Sequence, residues 1–290
     1  MNIAILSRGE QLYSTQSLIR AAQARNHEVE VIDPVYCKLM IDQGKPRVVY
    51  KGELVNDLHA IIPRIGASNT YFGSSVVRQF EAMGVFSTVS SEAIITSRDK
   101  WTSFQLLSKA ELAVPKTVLG NLKDPDALLE EFSDYPIIIK LLKGTHGQGV
   151  ILSESRQNAL ATLETLNGLG SRYLLQEYIA EARGTDLRVI VVDGVIVAAM
   201  KRQSKADDFR SNLHRGGSST NITLSYQEES LARRAAKVLK LGACGVDILQ
   251  SERGPLVLEV NSTPGLEGIE TTTGKNVARS IIGYIERNKK

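Results

Sequence analysis

Two carboxylates and an amide stand within fifteen residues of one another near the C-terminal end of this chain. They are Asp247, in Gly-Val-Asp-Ile-Leu, and Glu259 and Asn261, in Leu-Glu-Val-Asn-Ser-Thr-Pro-Gly. If Ser251–Pro255 is a five-residue loop and Gln250 pairs with Leu256, Asp247 lies opposite Glu259 in an antiparallel hairpin, and Asn261 shares their face two residues on. Oxygen-only donors among Ile, Leu and Val neighbours suit Mg²⁺, which keeps some of its waters and binds through one or two carboxylates together with substrate phosphates. The same triplet, taken alone, is also what a solvated sheet face presents. A second candidate is the glycine-rich run Gly144-Thr-His-Gly-Gln-Gly149, whose backbone amides could approach an anion closely; an ordinary hairpin turn reads the same. Lys140, in the apolar strand just before it, either points to water or supplies charge to a buried phosphate. A third is the polar stretch Lys201–Arg215, where Arg202, Arg210, Asn212 and Gly216-Gly217 suit bidentate capture of phosphate or carboxylate. Its lack of periodicity suggests a flap.

The elements that would position these groups follow from pattern. Apolar runs at Asn2–Ser7, Val29–Asp33, Ala60–Ile65 and Val85–Val89 alternate with helical stretches, the first capped at Ser14, which predicts a small parallel α/β unit. Asp42–Lys51 and Arg64–Thr70 read as loops at its strand ends, the edge at which such sheets bind ligands. Ser97 is the expected cap of a helix to about Glu111. Strands are expected at Val114–Leu119, Tyr135–Leu142, from Val150, and at Tyr173–Ile179, with helices starting at Asp124-Pro125 and around Gln157–Asn167, an α+β lobe. Asp193-Gly194 between Leu187–Val192 and Val195–Met200 is a strong type I′ hairpin signal. Ser225 with Glu228 makes a capping box. The hairpin Ala243–Gln250 and Leu256–Asn261, a Gly/Thr-rich loop and a final helix complete the chain. The domains expected are 1–96, 97–185 and 186–290.

Composition narrows the classes. With 290 residues, a net charge of +3, 42% hydrophobic and 23% charged residues, the chain is neither disordered nor fibrous. No apolar run approaches the ~18 residues that span a bilayer, and MNIAILSRGE has neither a basic region nor a cleavage site, so no secretory leader is expected. Cys37 and Cys244 lie far apart without metal-ligand spacing, which fits a reduced cytoplasm and buried thiols. The small net charge gives no reason to expect direct nucleic-acid binding. No G-x-G-x-x-G follows the first strand, and no P-loop, kinase catalytic-loop or Asp-Phe-Gly string occurs, which sets aside nicotinamide oxidoreductases, P-loop NTPases and protein kinases.

The strings AILSRG, VIDP, IPRIG, RQFE, SRDK, KLLKGTHGQGV, QEYI, DLRVIVV, DFRSNLHRGG, GVDIL and LEVNSTPGLEGIE, spread over essentially the whole chain, resemble the ATP-grasp superfamily of carboxylate–amine ligases. Within it they are most similar to the RimK family, ligases that add glutamate to the C-terminus of small-subunit ribosomal protein S-six. The resemblance implies an α+β / α/β architecture, an ATP-grasp fold behind an N-terminal Rossmann-like pre-ATP-grasp domain. It implies ATP as substrate with two Mg²⁺, or Mn²⁺ in their place, held by Asp247, Glu259 and Asn261. Lys100 and Lys140 would contact phosphates, with Gly144, Gly147 and Gly149 closing over them. Glu177 and Tyr178 would lie at the adenine hinge and Asp186 at the ribose. Arg210, Ser211 and Asn212 would reach the terminal phosphate, while Arg188 and Arg202 would steady the transferred phosphoryl group. Many ligases of this kind carry an arginine shortly before the first metal aspartate; here Cys244 and Gly245 occupy that stretch. The implied partners are L-glutamate, a ribosomal protein tail and further copies of the chain, up to a tetramer, with no membrane. Arg64, Lys201, Arg202, Lys205 and Arg215 are candidates for a basic acceptor groove. Two other readings stand beside this one, a relative that joins an amino acid to a small-molecule carboxylate, and a non-catalytic ATP-binding module.

Overall fold

The computed structural model describes residues 1–120, 123–142, 149–182, 184–205 and 216–289. The first segment builds β1 (Asn2–Leu6), α1 (Tyr13–Gln23) and β2 (Glu28–Ile32), then β3 (Cys37–Asp42), β4 (Lys45–Tyr50) and β5 (Glu53–Leu54), followed by β6 (Ala60–Pro63), α2 (Thr70–Ala82) and β7 (Phe86–Ser87). Strands β2-β1-β6-β7 form an all-parallel sheet in that order. Residues 37–54, in part expected as a loop, instead form an antiparallel three-stranded sheet that turns at Gln43-Gly44, both with positive φ. Gln79 of α2 ties it down by donating to the carbonyls of Met40 and Arg47. Ser14 does not cap α1. It lies inside the helix and accepts from the backbone N–H of Leu266, a contact between the two ends of the chain.

The next stretch is broken rather than continuous. Ser90 caps α3 (Ser91–Arg98), and Asp99 caps α4 (Lys100–Lys109) by accepting from Thr102, so Ser97 is no helix start. The break places Lys100 in the first turn of α4. Then come β8 (Thr117–Val118), α5 (Pro125–Leu129) capped by Asp124, β9 (Ile137–Leu141), β10 (Val150–Ser153), α6 (Arg156–Gly168) capped by Ser155, and β11 (Tyr173–Glu177). The order β10-β9-β11-β8 is antiparallel throughout. This small sheet has its own core, in which Leu129, Ile137, Ile139, Leu163, Tyr173 and Leu175 pack beneath α5 and α6.

The last segment supplies β12 (Thr185–Val192), β13 (Val195–Gln203), β14 (Ser218–Asn221), α7 (Tyr226–Val238), β15 (Ala243–Ser251), β16 (Gly254–Asn261), α8 (Glu267–Thr273) and α9 (Val277–Asn288). Its sheet runs β14-β13-β12-β15-β16. Both halves of the Ser225–Glu228 capping box form at the start of α7. One hydrophobic core runs unbroken from β1, β6 and α2 through Leu107 of α4 to β12, β15, α7 and α9. The first parallel sheet and the last antiparallel sheet therefore share one core, joined through α1 against α9, α3 against β16 and α4 against α7, while the middle sheet is clustered separately. At the far end, Glu286 of α9 accepts from Arg25 and bonds His27, which fastens the C-terminal helix to α1 and β2. Among the described residues no helix is long and apolar enough to cross a membrane.

Candidate active site

One face of the last sheet carries the chemistry, and two β-bulges put it there. The β15–β16 turn is tighter than five residues, because Ser251 pairs with Gly254 and Gln250 with Pro255. That register would set Asp247 against Leu258. An extra residue, Leu258, is accommodated between the pairs Ile248–Val257 and Asp247–Glu259, and this restores the Asp247–Glu259 pairing with Asn261 opposite Gly245. In the neighbouring hairpin, Asp193 and Gly194 adopt the positive φ of a type I′ turn, and a bulge at Val197 shifts the ladder so that Arg188 faces Met200 and Asp186 faces Arg202. Since Arg188 also faces Asp247, the side chains of Arg202, Asp186, Arg188, Asp247, Glu259 and Asn261 share one surface.

They form a continuous charged ladder. Arg202 donates Nε and Nη2 to the two carboxylate oxygens of Asp186, each at 2.6 Å, and Nη2 also to Asp247 at 2.9 Å. Arg188 grips Asp247 with both arms at 2.8 and 2.6 Å. Asn261 donates to Glu259 at 3.0 Å and, more weakly, to Asp247 at 3.4 Å. Asp247, Asp186 and Arg202 are 1%, 4% and 4% exposed, which would be untenable for isolated charges. Burial alone would raise the Asp247 pKa, but Arg188 and Arg202 outweigh it and hold the carboxyl well below the usual range. Burial would likewise depress Arg202, and Asp247 and Asp186 more than compensate.

Three carboxylates against two guanidinium groups leave one negative charge on this face, and the surplus sits at Glu259, the exposed member. The donor set is two ionised carboxylates and one amide, without thiol or imidazole, and turning the Asn261 amide would offer its oxygen in place of its nitrogen. That chemistry fits a hard, oxygen-seeking cation such as Mg²⁺. Among the described residues no group of three or more His, Cys, Asp and Glu is arranged to hold a metal, so any cation here would also draw on substrate and water oxygens.

Lys140, on β9 opposite Val150 and Leu174, faces this ladder from the middle sheet. Burial pushes its ammonium down to about 8; Glu259 and Asp247 pull it back up, and Lys100 presses it further down. The structure thus brings Lys100, Lys140, Glu259 and Asp247 into one electrostatic neighbourhood. Gly149, with φ +76°, lies directly against Leu141, where a Cβ would come within 2.9 Å of three of its atoms. Glu177 ends β11 with its carboxylate engaged by the Lys116 N–H at 2.6 Å and by Arg253, and Tyr178 follows it, half-buried. Gly144, Gly147, Arg210, Ser211, Asn212 and Arg215 lie outside the described residues. Arg202 is locked into the ladder and offers no surface for an acceptor groove. Gly245 lies close beneath Pro264, where a Cβ would meet Pro264 Cβ at 3.0 Å, so a side chain there would need Pro264 to shift. The ladder itself escaped sequence analysis, although the alternation of Asp186 with Arg188 on one strand was a usable signal.

Solved structures share this architecture. The ATP-grasp ligase PsnB, solved with its minimal precursor, superposes with a TM-score of 0.77 at 20% identity, covering 99% of this chain and 98% of its own. The D-alanine–D-alanine ligase of Bacillus anthracis, solved with ATP, gives 0.70 at 17% identity, covering 100% and 97%. The fold is that of the ATP-grasp enzymes, and a family model that covers most of the chain makes it a carboxylate–amine ligase of a class that works with ATP and Mg²⁺. The models of the RimK PreATP-grasp domain and the RimK-like ATP-grasp domain match residues 1–94 and 97–285, and the chain belongs to the RimK family. It is 50% identical over 291 residues to a "Probable alpha-L-glutamate ligase" of Halorhodospira halophila and 52% identical over 291 residues to a "Probable alpha-L-glutamate ligase 2" of Pseudoalteromonas atlantica. Each alignment covers 100% of this chain, with 96% and 97% of the respective relative.

Proposed function

We propose that this protein uses ATP to join L-glutamate to a carboxylate at the end of a polypeptide, with the C-terminal glutamate of ribosomal protein S-six as acceptor and repeated addition giving a glutamate chain. The observation that carries the proposal is the Asp247–Glu259–Asn261 face opposite Lys140, in a chain half identical over its full length to relatives named for glutamate ligation. The ATP-grasp ligase PsnB and the macrocyclase MdnC, of the same fold and solved with precursor peptides, support a polypeptide acceptor.

A free carboxylate is a poor acylating agent. The acceptor carboxylate would therefore take the terminal phosphoryl group of ATP, releasing ADP, and the α-amine of glutamate would attack the acyl-phosphate carbonyl and expel phosphate. Lys100 and Lys140 would bind the phosphates, together with the Gly144–Gly149 run. Glu177 and Tyr178 would seat the adenine and Asp186 the ribose, while Arg210, Ser211 and Asn212 would meet the terminal phosphate. Asp247, Glu259 and Asn261 would hold one or two Mg²⁺ ions, or Mn²⁺, which when bound neutralise charge on the transferring group. Arg188, the more exposed of the two arginines, would steady that group directly and is already oriented by Asp247, while Arg202 would act through the carboxylates it holds. The test is ADP release from ATP and Mg²⁺ with glutamate and purified S-six protein, omitting each in turn. The proposal expects full turnover only with both; ADP release without glutamate and unchanged by it would remove glutamate as donor.

A further inference from the structure

Beyond the ladder, the same sheet face continues toward the first domain. The row Ile190–Gly245–Asn261 follows the row Arg188–Asp247–Glu259, and Pro264 covers Gly245. Arg64 stands at the C-terminal end of β6 and donates Nη2 to the carbonyl of Pro264 at 2.7 Å. Among the described residues its other guanidinium N–H groups find no partner and no carboxylate lies within ion-pair distance of it. Burial lowers its pKa to about 10, so it stays charged at neutral pH. The neighbouring Arg98 differs, because its guanidinium is taken up by the carbonyls of Ile65 and Gly66 and by Thr70 and Thr263, which fixes the loop that follows Arg64. Ser262 lines, with Arg64 and Pro264, a largely apolar gap of about 10 Å³, room for one water; it is 5% exposed and its hydroxyl has no hydrogen-bond partner among the described residues. A half-buried guanidinium with N–H groups to spare, at the ligand-binding edge of the parallel sheet and beside a buried hydroxyl that follows β16, matches a carboxylate that arrives with a substrate.

The order of the rows says which substrate. The reacting carbonyl must lie with the phosphates, against Lys140 and the Asp247–Glu259 row. The attacking amine must reach a face of that carbonyl, so it has to lie on a flank of the row. One flank of that row is filled by the Arg202–Asp186 pair, and the other opens onto Asn261, Pro264 and Arg64. We propose that Arg64, with Ser262 beside it, holds a carboxylate of the incoming amino acid and so fixes the amine donor rather than the acceptor. This rests on the reading of the enzyme as an amino-acid ligase.

The experiment compares wild type, Arg64→Gln, Arg64→Lys and Ser262→Ala in the ADP-release assay, with steady-state constants for the amino acid, ATP and the acceptor determined separately. KM for the amino acid should rise about tenfold to a hundredfold in Arg64→Gln, the range for losing a charged hydrogen-bonded partner. Arg64→Lys should recover part of it, and KM for ATP and acceptor should hold. Running glutamate and glutamine in parallel separates the two carboxylates. An equal loss with both assigns Arg64 to the α-carboxylate; a loss with glutamate only assigns it to the γ-carboxylate. A rise confined to acceptor KM, an unchanged donor KM, or equal recovery by Gln and Lys, as a purely structural tie to Pro264 would give, overturns the proposal. Failure of the ligase reading shows separately, as a wild type that releases no ADP with any amino acid, and that result removes both.

Discussion

Asp247 and Glu259 occupy adjacent positions in one candidate site, yet their replacement should have very different consequences for stability. Asp247 is enclosed and answers two guanidinium groups, whereas Glu259 is exposed and takes a hydrogen bond from Asn261. In Asp247→Asn, Arg202 keeps Asp186 but Arg188 loses its carboxylate partner in a largely desolvated position. Breaking one side of a buried pair costs about 3–5 kcal/mol. For a protein of this size each kcal/mol moves Tm by roughly 2–4 °C, so a fall of about 6 °C or more is expected. Glu259→Gln replaces an exposed group and should stay within about 0.5 kcal/mol of wild type. Both variants should lose turnover. Thermal and urea unfolding are to be followed without metal or nucleotide, so that ligand linkage adds nothing to the difference. Adding Arg188→Met to Asp247→Asn removes the stranded charge and should return part of the lost stability but none of the activity. An Asp247→Asn protein that melts with wild type would refute the ladder as a buried, mutually supporting network. Full activity of Glu259→Gln at saturating Mg²⁺ would refute the site.

Other outcomes follow from the same geometry. Lys140→Met should abolish turnover, or raise KM for ATP by at least tenfold, without lowering Tm, because burial already disfavours the charged ammonium; a clear loss of stability would show that Lys140 is mainly structural. Arg25, His27 and Arg25's attraction for its carboxylate hold the Glu286 pKa down to about 2 from an ordinary 4.5. A depressed carboxylate contributes stability that is complete above about pH 4.5 and is lost as pH falls toward 2, so Glu286→Gln should flatten that part of the stability profile, and a profile parallel to wild type would contradict the clamp. Gly242→Ala would bring a Cβ within 2.5 Å of the Thr88 carbonyl and 2.4 Å of the Tyr284 hydroxyl. It should cost about 1–3 kcal/mol by overpacking, measured by urea unfolding, and a neutral result would mean that the backbone at this domain contact yields.

Much of the site was legible because strand periodicity and turn chemistry are local. Asp193-Gly194, the Ser225 capping box and the alternation through Asp247, Glu259 and Asn261 each announce themselves within a few residues. What was not legible depends on bulges and on partners distant in sequence. The β15–β16 turn is three residues shorter than the apolar pattern suggests, because Ser251 pairs with Gly254, and only the bulge at Leu258 brings Asp247 back to Glu259. The bulge at Val197 is equally silent in the sequence, and it sets Arg202 against Asp186. Residues 42–51 look like a loop because Asp42, Gly44, Lys45 and Pro46 are turn formers, but the turn itself occupies only Gln43-Gly44 and the flanks pair. The helix break at Asp99 was masked by helix formers on both sides, although the cap at Ser90 and the cap at Asp99 were each within reach of the rule used to choose Ser97. The short α8 was hidden in a Gly/Thr-rich stretch whose helix is stabilised by its packing against β13 and β14 rather than by propensity.

The most direct test of the central claim is the intact mass of purified S-six protein after incubation with this enzyme, ATP, Mg²⁺ and glutamate, with fragmentation to locate the change. The account predicts a ladder rising by single glutamyl residues at the acceptor's C-terminus, absent with Glu259→Gln. An acceptor of unchanged mass, alongside ATP- and glutamate-dependent ADP release, would contradict the assignment of this polypeptide as the acceptor.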